Sequence, residues 1–570
     1  MDACAAPVNS TSPVAIVGGG IAGLTLALGL AVQGVRSVVI EADDSVCHGS
    51  RAICFSRRSL EIFERLGVLE PILSKGLAWT GGRSFYRDTE VLRFEMPHDA
   101  QQKLPPMINL QQYHVEDALV RALRRHADLV DLRWQSRVAR IVELTDAVEL
   151  QIEQPGASYP LRAAWVAACD GARSCVREAA GLRLEGTAYE GRYVVADIAL
   201  RCDLPTERLA WFDPPSNPGS TILMHRQPDD VWRIDYQLRD DEDGAAATRP
   251  ENVLPRVEAH LRMMGLGQAW APIWISLYKA NALTLPGYRR GRCLFVGDAA
   301  HLVPIFGVRG ANSTIDDADN LAWKLALVVR EQASPRLLDS YSDERVHAAR
   351  ENLAYGTKST QFMAPPDFAF RTMREAVLSL ATTTPAVRSL INPRQTSPIR
   401  YGASPLNATP GEATGSRAAD GFAAGPPAGT VLTTGPVEWI DEASGSRPGH
   451  LTDALRAGAF TALHFATSGA IPDALKQTRE TLRASGIELV LVSVRRDALP
   501  TGADRCARDP FGTIAASYGV APAGALYTVR PDGHVLGRWS ADPQTAPGDV
   551  DPPCIALGPA IRRCLEGGDI

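Results

Sequence analysis

The chain has 570 residues, 45% of them hydrophobic and 22% charged, the composition of an ordinary globular protein with room for several domains at roughly 150 residues each. A formal net charge of −6 without a basic block argues against a nucleic-acid partner, and no apolar run reaches the ~18 residues of a membrane span. The ten cysteines show neither C-x-x-C nor zinc spacing, so no metal site is expected, and the N-terminus has no cationic, apolar leader, so the expected compartment is the cytoplasm.

Residues 13–41 read as a strand (Val14 to Val17), a glycine turn, an apolar helix and a second strand (Val38 to Ile40) ending in Glu41. This is a βαβ unit with a full dinucleotide fingerprint. Gly18 permits the tight turn, Gly20 lets a pyrophosphate approach the backbone, and Gly23 lets the helix pack on the strand, with Ile21 and Ala22 opening that helix. Glu41 is placed for the ribose hydroxyls of an adenosine and repels a 2′-phosphate, so FAD or NAD is the expected nucleotide. Only one such fingerprint is present. It would satisfy an NAD dehydrogenase, whereas a flavoprotein with its own nicotinamide domain would need a second.

Arg51 precedes an amphipathic helix with Leu60, Phe63 and Leu66 on one face, and from residue 81 the pattern turns β-like until Pro105-Pro106. Gln111 and Gln112 then stand at the entrance of a helix through Val115 to Val120. Residues 130–170 alternate as short strands, and Trp165 to Cys169 lead into Asp170-Gly171-Ala172-Arg173, an acid at a strand end. Residues 181–285 carry strand-like runs, among them Thr221 to His225 and Val231 to Tyr236, without a sustained helical period. They read as an antiparallel sheet inserted between two parts of the nucleotide-binding domain.

The strand Cys293 to Val296 ends in Gly297-Asp298, which puts Asp298 at a strand's C-terminal end, where open α/β sheets hold their ligands. Pro304, Gly307 and Gly310 keep the following backbone irregular, and Asn312 to Asp316 supply N-cap groups for a helix running through Trp323. Residues 336–400 are mostly helical, and a Pro/Gly/Ala/Thr-rich stretch over 404–430 marks a linker. The order strand, helix, strand, helix, hairpin over 431–570 looks like a thioredoxin fold. Lacking C-x-x-C it cannot exchange disulfides, which leaves packing or dimerisation as its role.

Three ordered motifs, Gly18-x-Gly20-x-x-Gly23, Asp170-Gly171-Ala172-Arg173-Ser174-x-Val176-Arg177 and Gly297-Asp298-Ala299-Ala300-His301, resemble those of the class A, single-component FAD-dependent aromatic hydroxylases. The C-terminal unit narrows the resemblance to the phenol hydroxylase branch. The implied fold is α/β: a Rossmann-type FAD-binding domain (10–80, 105–180, 286–365), a substrate sheet (81–104, 181–285), a helical extension (366–403), the linker (404–430) and the thioredoxin-like domain (431–570). The resemblance implies that Glu41 holds the FAD ribose, that Arg51 and Gln112 contact the flavin nucleotide, and that Asp298 holds its ribityl or phosphate part. Asp170 is associated with FAD and NAD(P)H, and Arg173 with the pyrophosphates. The loop after Pro304 is implied to lie along the isoalloxazine, with the amides of Gly310, Ala311 and Asn312 at its pyrimidine edge.

The implied activity is hydroxylation of a phenolic ring by way of C4a-hydroperoxyflavin, with NADPH or NADH and O₂ as co-substrates and a small aromatic molecule as partner. A homodimer is common among relatives. The alternatives are a halogenase or dehydrogenase on the same scaffold, and a non-catalytic flavoprotein acting through its C-terminal domain. A base near the phenol is expected, with His225, Tyr236 and Arg83 as candidates. The chain departs from the family at Ile305 and Arg309, where small or neutral residues are usual. An arginine beside the flavin would stabilise its anionic reduced ring or bind an acidic substrate group.

Overall fold

The computed structural model describes residues 11–99, 101–239, 241–391, 395–408, 422–441, 445–466, 470–497, 502–540 and 552–568. Residues 1–10 and 409–421, the latter the middle of the expected linker, lie outside them.

Five strands of the first sheet run parallel in the order Cys293–Phe295, Ala157–Ala168, Thr11–Val17, Ser37–Ile40, Val130–Arg133. Parallel strands are covered on both faces, which is why Val14 to Val17, Val38 to Ile40, Ala163 to Ala168 and Cys293 to Phe295 are all apolar. Helix Ile21–Ala31 is buried along its whole length, packed between this sheet and helix Gly310–Val329, hereafter the site helix. The turn feeding it tolerates no side chain. Gly18 has φ +105°, and a Cβ there would lie 2.3 Å from the Cys169 carbonyl oxygen. At Gly23 a Cβ would lie 1.9 Å from the Gly18 carbonyl oxygen.

The second sheet has eight strands in the order His301–Leu302, Trp270–Thr284, Glu185–Leu200, Val231–Gln237, Thr221–Gln227, Arg208–Phe212, Gly81–Tyr86, Thr89–Glu95. It is antiparallel except that Arg208–Phe212 runs parallel to Gly81–Tyr86, which joins the two sequence-distant pieces. Strand alternation divides its faces. Leu209, Trp211, Ile222, Met224, Trp232, Ile234 and Tyr236 pack with Val253, Val257 and Leu261 of helix Pro250–Met263. The opposite face carries Arg208, Leu223, His225, Arg233 and Asp235. The purely strand-like reading of 181–285 is corrected by that helix: Val253, Val257 and Leu261 keep its four-residue spacing, and Pro255 in its second turn masks the period.

The site helix is followed by helices Leu337–Met363 and Phe368–Ala381. A third sheet of seven strands then closes the chain, with Leu489–Arg495, Phe460–Phe465, Ala525–Val529 and Val535–Ser540 adjacent in that order. The sequence reading lacks four of its elements, the strands Pro436–Asp441, Gly445–His450 and Arg505–Arg508 and the helix Pro552–Glu566. Gly445–His450, polar and carrying a proline and two glycines, stays hidden until the sheet edge recruits it. Among the described residues no helix is long and apolar enough to cross a membrane.

The turn Pro531-Asp532-Gly533 of this third sheet inserts into the body of the molecule. Arg530 there pairs with Glu344 of the long helix and with Asp532, while Lys324 of the site helix reaches Glu344 at 2.8 Å, and all four side chains are fully buried. Arg58 pairs with Asp316 and Asp319 on the site helix and donates to the Asp532 carbonyl. Burial alone would push the Glu344 carboxyl up, but Arg530 and Lys324 hold it well below the usual range. Two cations and two anions balance, so removing one strands a buried charge. Arg530→Met is expected to destabilise the protein by about 3–5 kcal/mol, read as a fall in the denaturation midpoint.

Candidate active site

A cavity of about 650 Å³ lies between the C-terminal ends of the parallel strands and the polar face of the second sheet. Two helix N-termini open onto it. Gly20, Ile21 and Ala22 begin one helix and Gly310, Ala311 and Asn312 the other, and neither start carries a side-chain cap. Unpaired amides and the helix dipoles make both ends receptive to anionic or electron-rich groups. The expected capping by Asn312 to Asp316 is corrected, because the helix begins at Gly310. The Asn312 amide oxygen instead accepts from Ser56 N at 2.8 Å and the Ser59 hydroxyl at 2.7 Å, tying the helix start to strand Cys54–Ser56.

Around the nucleotide end, Arg51, Gly171 and Asp298 line the cavity, the Asp298 side chain exposed between the buried Gly297 and Ala299. Burial raises its pKa, with His301 and Arg51 opposing. Gln112 also lines the cavity, its amide already engaged with Ala52 N and Glu116. Glu41 accepts from the amides of Gly19 and Asp43. Asp170 accepts from Val176 N at 3.2 Å, while its other oxygen is buried without a partner. Arg173 is exposed and does not reach the cavity. The buried arginine of that motif is Arg177, which donates to the carbonyls of Ala172 and Ala299 and so bolts the Asp170 turn to the Asp298 turn.

The Asp298 turn is fixed from behind by Asp317 of the site helix. This fully buried carboxylate accepts from Gly297 N at 3.0 Å, from His301 Nε2 at 2.8 Å and from Arg345. Burial would raise its pKa, yet Arg345 and His301 bring it below the usual value. The loop then passes Pro304, Ile305 and Phe306 along the cavity wall and turns through Gly307 and Val308, the latter at φ +59°, a left-handed conformation that a β-branched residue rarely adopts. Arg309 follows. Its guanidinium donates to Asn352 Oδ1 at 2.9 Å and to the Gln395 carbonyl, and it lies over the Tyr355 ring. Arg309 also lines the cavity, and these contacts make it a clamp that holds the loop to the long helix.

Across the cavity, one register line of the second sheet reads Gly82, Arg208, His225, Arg233, Asp197, Trp274. Arg233 is buried and satisfied: it donates to Asp235 at 2.7 Å and to the carbonyls of Ser50 and Arg51. His225 faces the cavity, but burial and the two flanking arginines lower its pKa to about 3, so it is a neutral imidazole and a poor proton acceptor. Tyr236 is corrected, since it points into the apolar layer on the sheet's other face. Arg83 is corrected too, because it is paired with Glu207 outside the cavity. The floor residues missed from sequence, Arg208, Arg233 and Asp235, had one signal: charges at alternate positions of otherwise apolar strands.

The sequence pattern of the FAD binding domain family matches residues 11–355. The chain is 30% identical to the 3-(3-hydroxy-phenyl)propionate/3-hydroxycinnamic acid hydroxylase of Mycolicibacterium smegmatis over 389 residues, 68% of each chain. It is 31% identical to the 6-methylpretetramide 4-monooxygenase of Streptomyces rimosus over 364 residues, 63% of each. This chain belongs to the FAD-dependent aromatic hydroxylases. The fold agrees with that of the flavin-dependent monooxygenase PieE, solved with FAD and substrate, at a TM-score of 0.78 and 22% identity over 98% of this chain and 100% of that one.

The residues present fit an FAD. The two uncapped helix starts, with Arg51 and Asp298 beside them, and a cavity within the range of cofactor sites together offer what a dinucleotide needs. Asp317→Asn removes the carboxylate that orders the Asp298 turn. It is expected to destabilise the fold by about 3 kcal/mol and to lower the flavin-to-protein ratio of purified enzyme. A second expectation concerns Asp197, 4% exposed, whose carboxyl burial pushes up to about 7, with Arg233 opposing and Asp235 reinforcing the shift. The folded state therefore holds a proton that the unfolded state releases at the ordinary carboxylate value of 3.8, so this stability is complete below that pH and is lost as pH rises through about 7. Asp197→Asn is expected to gain on the parent by on the order of 2 kcal/mol between about pH 5 and pH 8, measured by urea midpoints.

Proposed function

We propose that this hydroxylase inserts one oxygen atom into a phenolic ring, with FAD resident and NAD(P)H and O₂ consumed. The observation carrying this reading is one continuous cavity, with two uncapped helix starts at one end and a polar sheet floor at the other. FAD when bound supplies electron transfer and oxygen activation. The amides of Gly20 to Ala22 take its pyrophosphate, Glu41 its ribose, and Asp298 and Arg51 its ribityl and phosphate region. Pro304 to Phe306 lie along its ring, with the amides of Gly310 to Asn312 at the pyrimidine edge. Asp170 serves the same nucleotide from its turn, which Arg177 holds against the Asp298 turn. The relatives' named substrates, 3-(3-hydroxy-phenyl)propionate among them, agree with a hydroxylated aromatic ring.

The protein's share of the chemistry is orientation and exclusion of water. Buried Leu223 and Phe306 and half-buried Tyr278 wall the ring position, and the Tyr278 hydroxyl donates to the Val303 carbonyl to hold the loop. His225, neutral and flanked by cations, orients a substrate oxygen as a hydrogen-bond partner instead of removing a proton. The C-terminal unit is thioredoxin-like in its strand order, and docks as a structural wedge through its Pro531-Asp532-Gly533 turn.

The purified protein is expected to be yellow, to oxidise NAD(P)H faster with a phenolic substrate, and to release a product one oxygen atom heavier. A colourless protein, or NAD(P)H oxidation indifferent to every phenol offered, overturns the reading. A chloride-dependent product mass would instead indicate halogenation.

A further inference from the structure

We propose that Arg208 binds the carboxylate of the aromatic substrate, so that the enzyme acts on a hydroxyaryl acid rather than on a neutral phenol. The proposal rests on the hydroxylase reading and names the substrate class of that same site.

Arg208 opens strand Arg208–Phe212, is 4% exposed and lines the cavity. Among the described residues its guanidinium has no carboxylate partner, and its Nη1 is buried without a hydrogen bond. The other arginine of the register line is answered in full, since Arg233 holds Asp235 and two backbone carbonyls. No described carboxylate compensates Arg208, and burial lowers its pKa to about 10. A buried, unpaired cation is expensive unless a ligand supplies the opposite charge.

The surroundings leave that place open. On one side its register neighbour is Gly82, which has no side chain, and on the other it is His225, whose Nδ1 also lacks a partner. Residues that might compete are committed elsewhere: the Cys54 thiol donates to Asn109 Oδ1 at 3.1 Å, and the Asn109 amide donates to the Arg226 carbonyl. A planar guanidinium matches the two oxygens of a carboxylate, and a neutral imidazole N–H adds a further donor. Arg208 stands on the sheet floor, and the loop Pro304 to Arg309 lines the same cavity, with Phe306 packed among Ala210, Phe212 and Leu223 of that sheet. An acid held there shares the cavity with the loop along which the flavin is proposed to lie.

The test uses the FAD-loaded enzyme and a panel of hydroxybenzoate, hydroxyphenylacetate, 3-(3-hydroxyphenyl)propionate and hydroxynaphthoate, each beside its primary amide. Binding is read from the perturbed flavin absorbance and from thermal shift, and turnover from product mass. At least one acid is expected to bind about 30-fold or more tightly than its amide. Arg208→Gln is expected to erase that preference by weakening the acid while leaving the amide within a few-fold, and Arg208→Lys to restore part of it. The same acid without its ring hydroxyl is expected to bind competitively and to depend on Arg208 equally, which separates recognition from chemistry. The proposal is overturned if no acid outbinds its amide on the unaltered enzyme, or if Arg208→Gln weakens acid and amide alike. The acid–amide comparison decides even if the variant does not fold. Tight, Arg208-dependent binding without oxygenated product would count against the hydroxylase reading alone.

Discussion

The site depends on one buried carboxylate. Asp317 sits on the site helix with no access to solvent, yet it collects the Gly297 amide, the His301 imidazole and the Arg345 guanidinium. Hydrogen bonds to a charged group are worth about 1.5–3 kcal/mol each, enough to offset the desolvation of a single carboxylate. The consequence is geometric. Strand Cys293–Phe295, the Asp298 turn and the first half of the site helix become one rigid piece, and Asp298 faces the cavity because its neighbours on either side are held from behind.

The loop between that piece and the site helix pays a conformational cost in Val308, at φ +59°. A left-handed conformation costs roughly 1–2 kcal/mol for such a residue, so something must hold it. Arg309 does, by reaching Asn352, Gln395 and the Tyr355 ring. Arg309, the residue that looked most like a reactive novelty in the sequence, is anchored as a clamp at the cavity wall, and among the described residues a buried arginine without a carboxylate partner, Arg208, lies a hundred residues earlier on the sheet floor. Both follow from where the backbone sends each side chain, which a one-dimensional pattern does not record.

The C-terminal unit acts on the same helix from its far side. Arg530 and Asp532 meet Lys324, Asn320 and Glu344 in a buried cluster, and Arg58 and Arg65 meet Asp319 nearby. The site helix is thus gripped by Asp317 near the cavity and by the inserted turn further along. Such clusters add little net stability over apolar packing, but they tolerate only one register. That suits a helix whose N-terminus must stay aligned with a ligand.

The sequence by itself determined the nucleotide-binding unit. Gly18 and Gly23 lie where a side chain would strike backbone, the strands on either side are apolar because both faces are covered, and Glu41 follows from chain distance alone, so local rules suffice. The strand runs 221–225 and 231–236 were equally legible through their composition. What those runs face was not. Period-two alternation says that Tyr236 and Asp235 point to opposite sides, but only the packing of helix Pro250–Met263 on one side and the cavity on the other decides which side is the site. The helix was hidden by its internal proline, and the edge strand Gly445–His450 of the third sheet by its polar composition, because an edge strand is stabilised by its neighbour's hydrogen bonds rather than by its own hydrophobicity. Arg208 belongs to the same class. Its isolation depends on the register that sets Gly82 and His225 beside it and on the partners that occupy Arg233, Cys54 and Asn109, and these are properties of the tertiary structure alone.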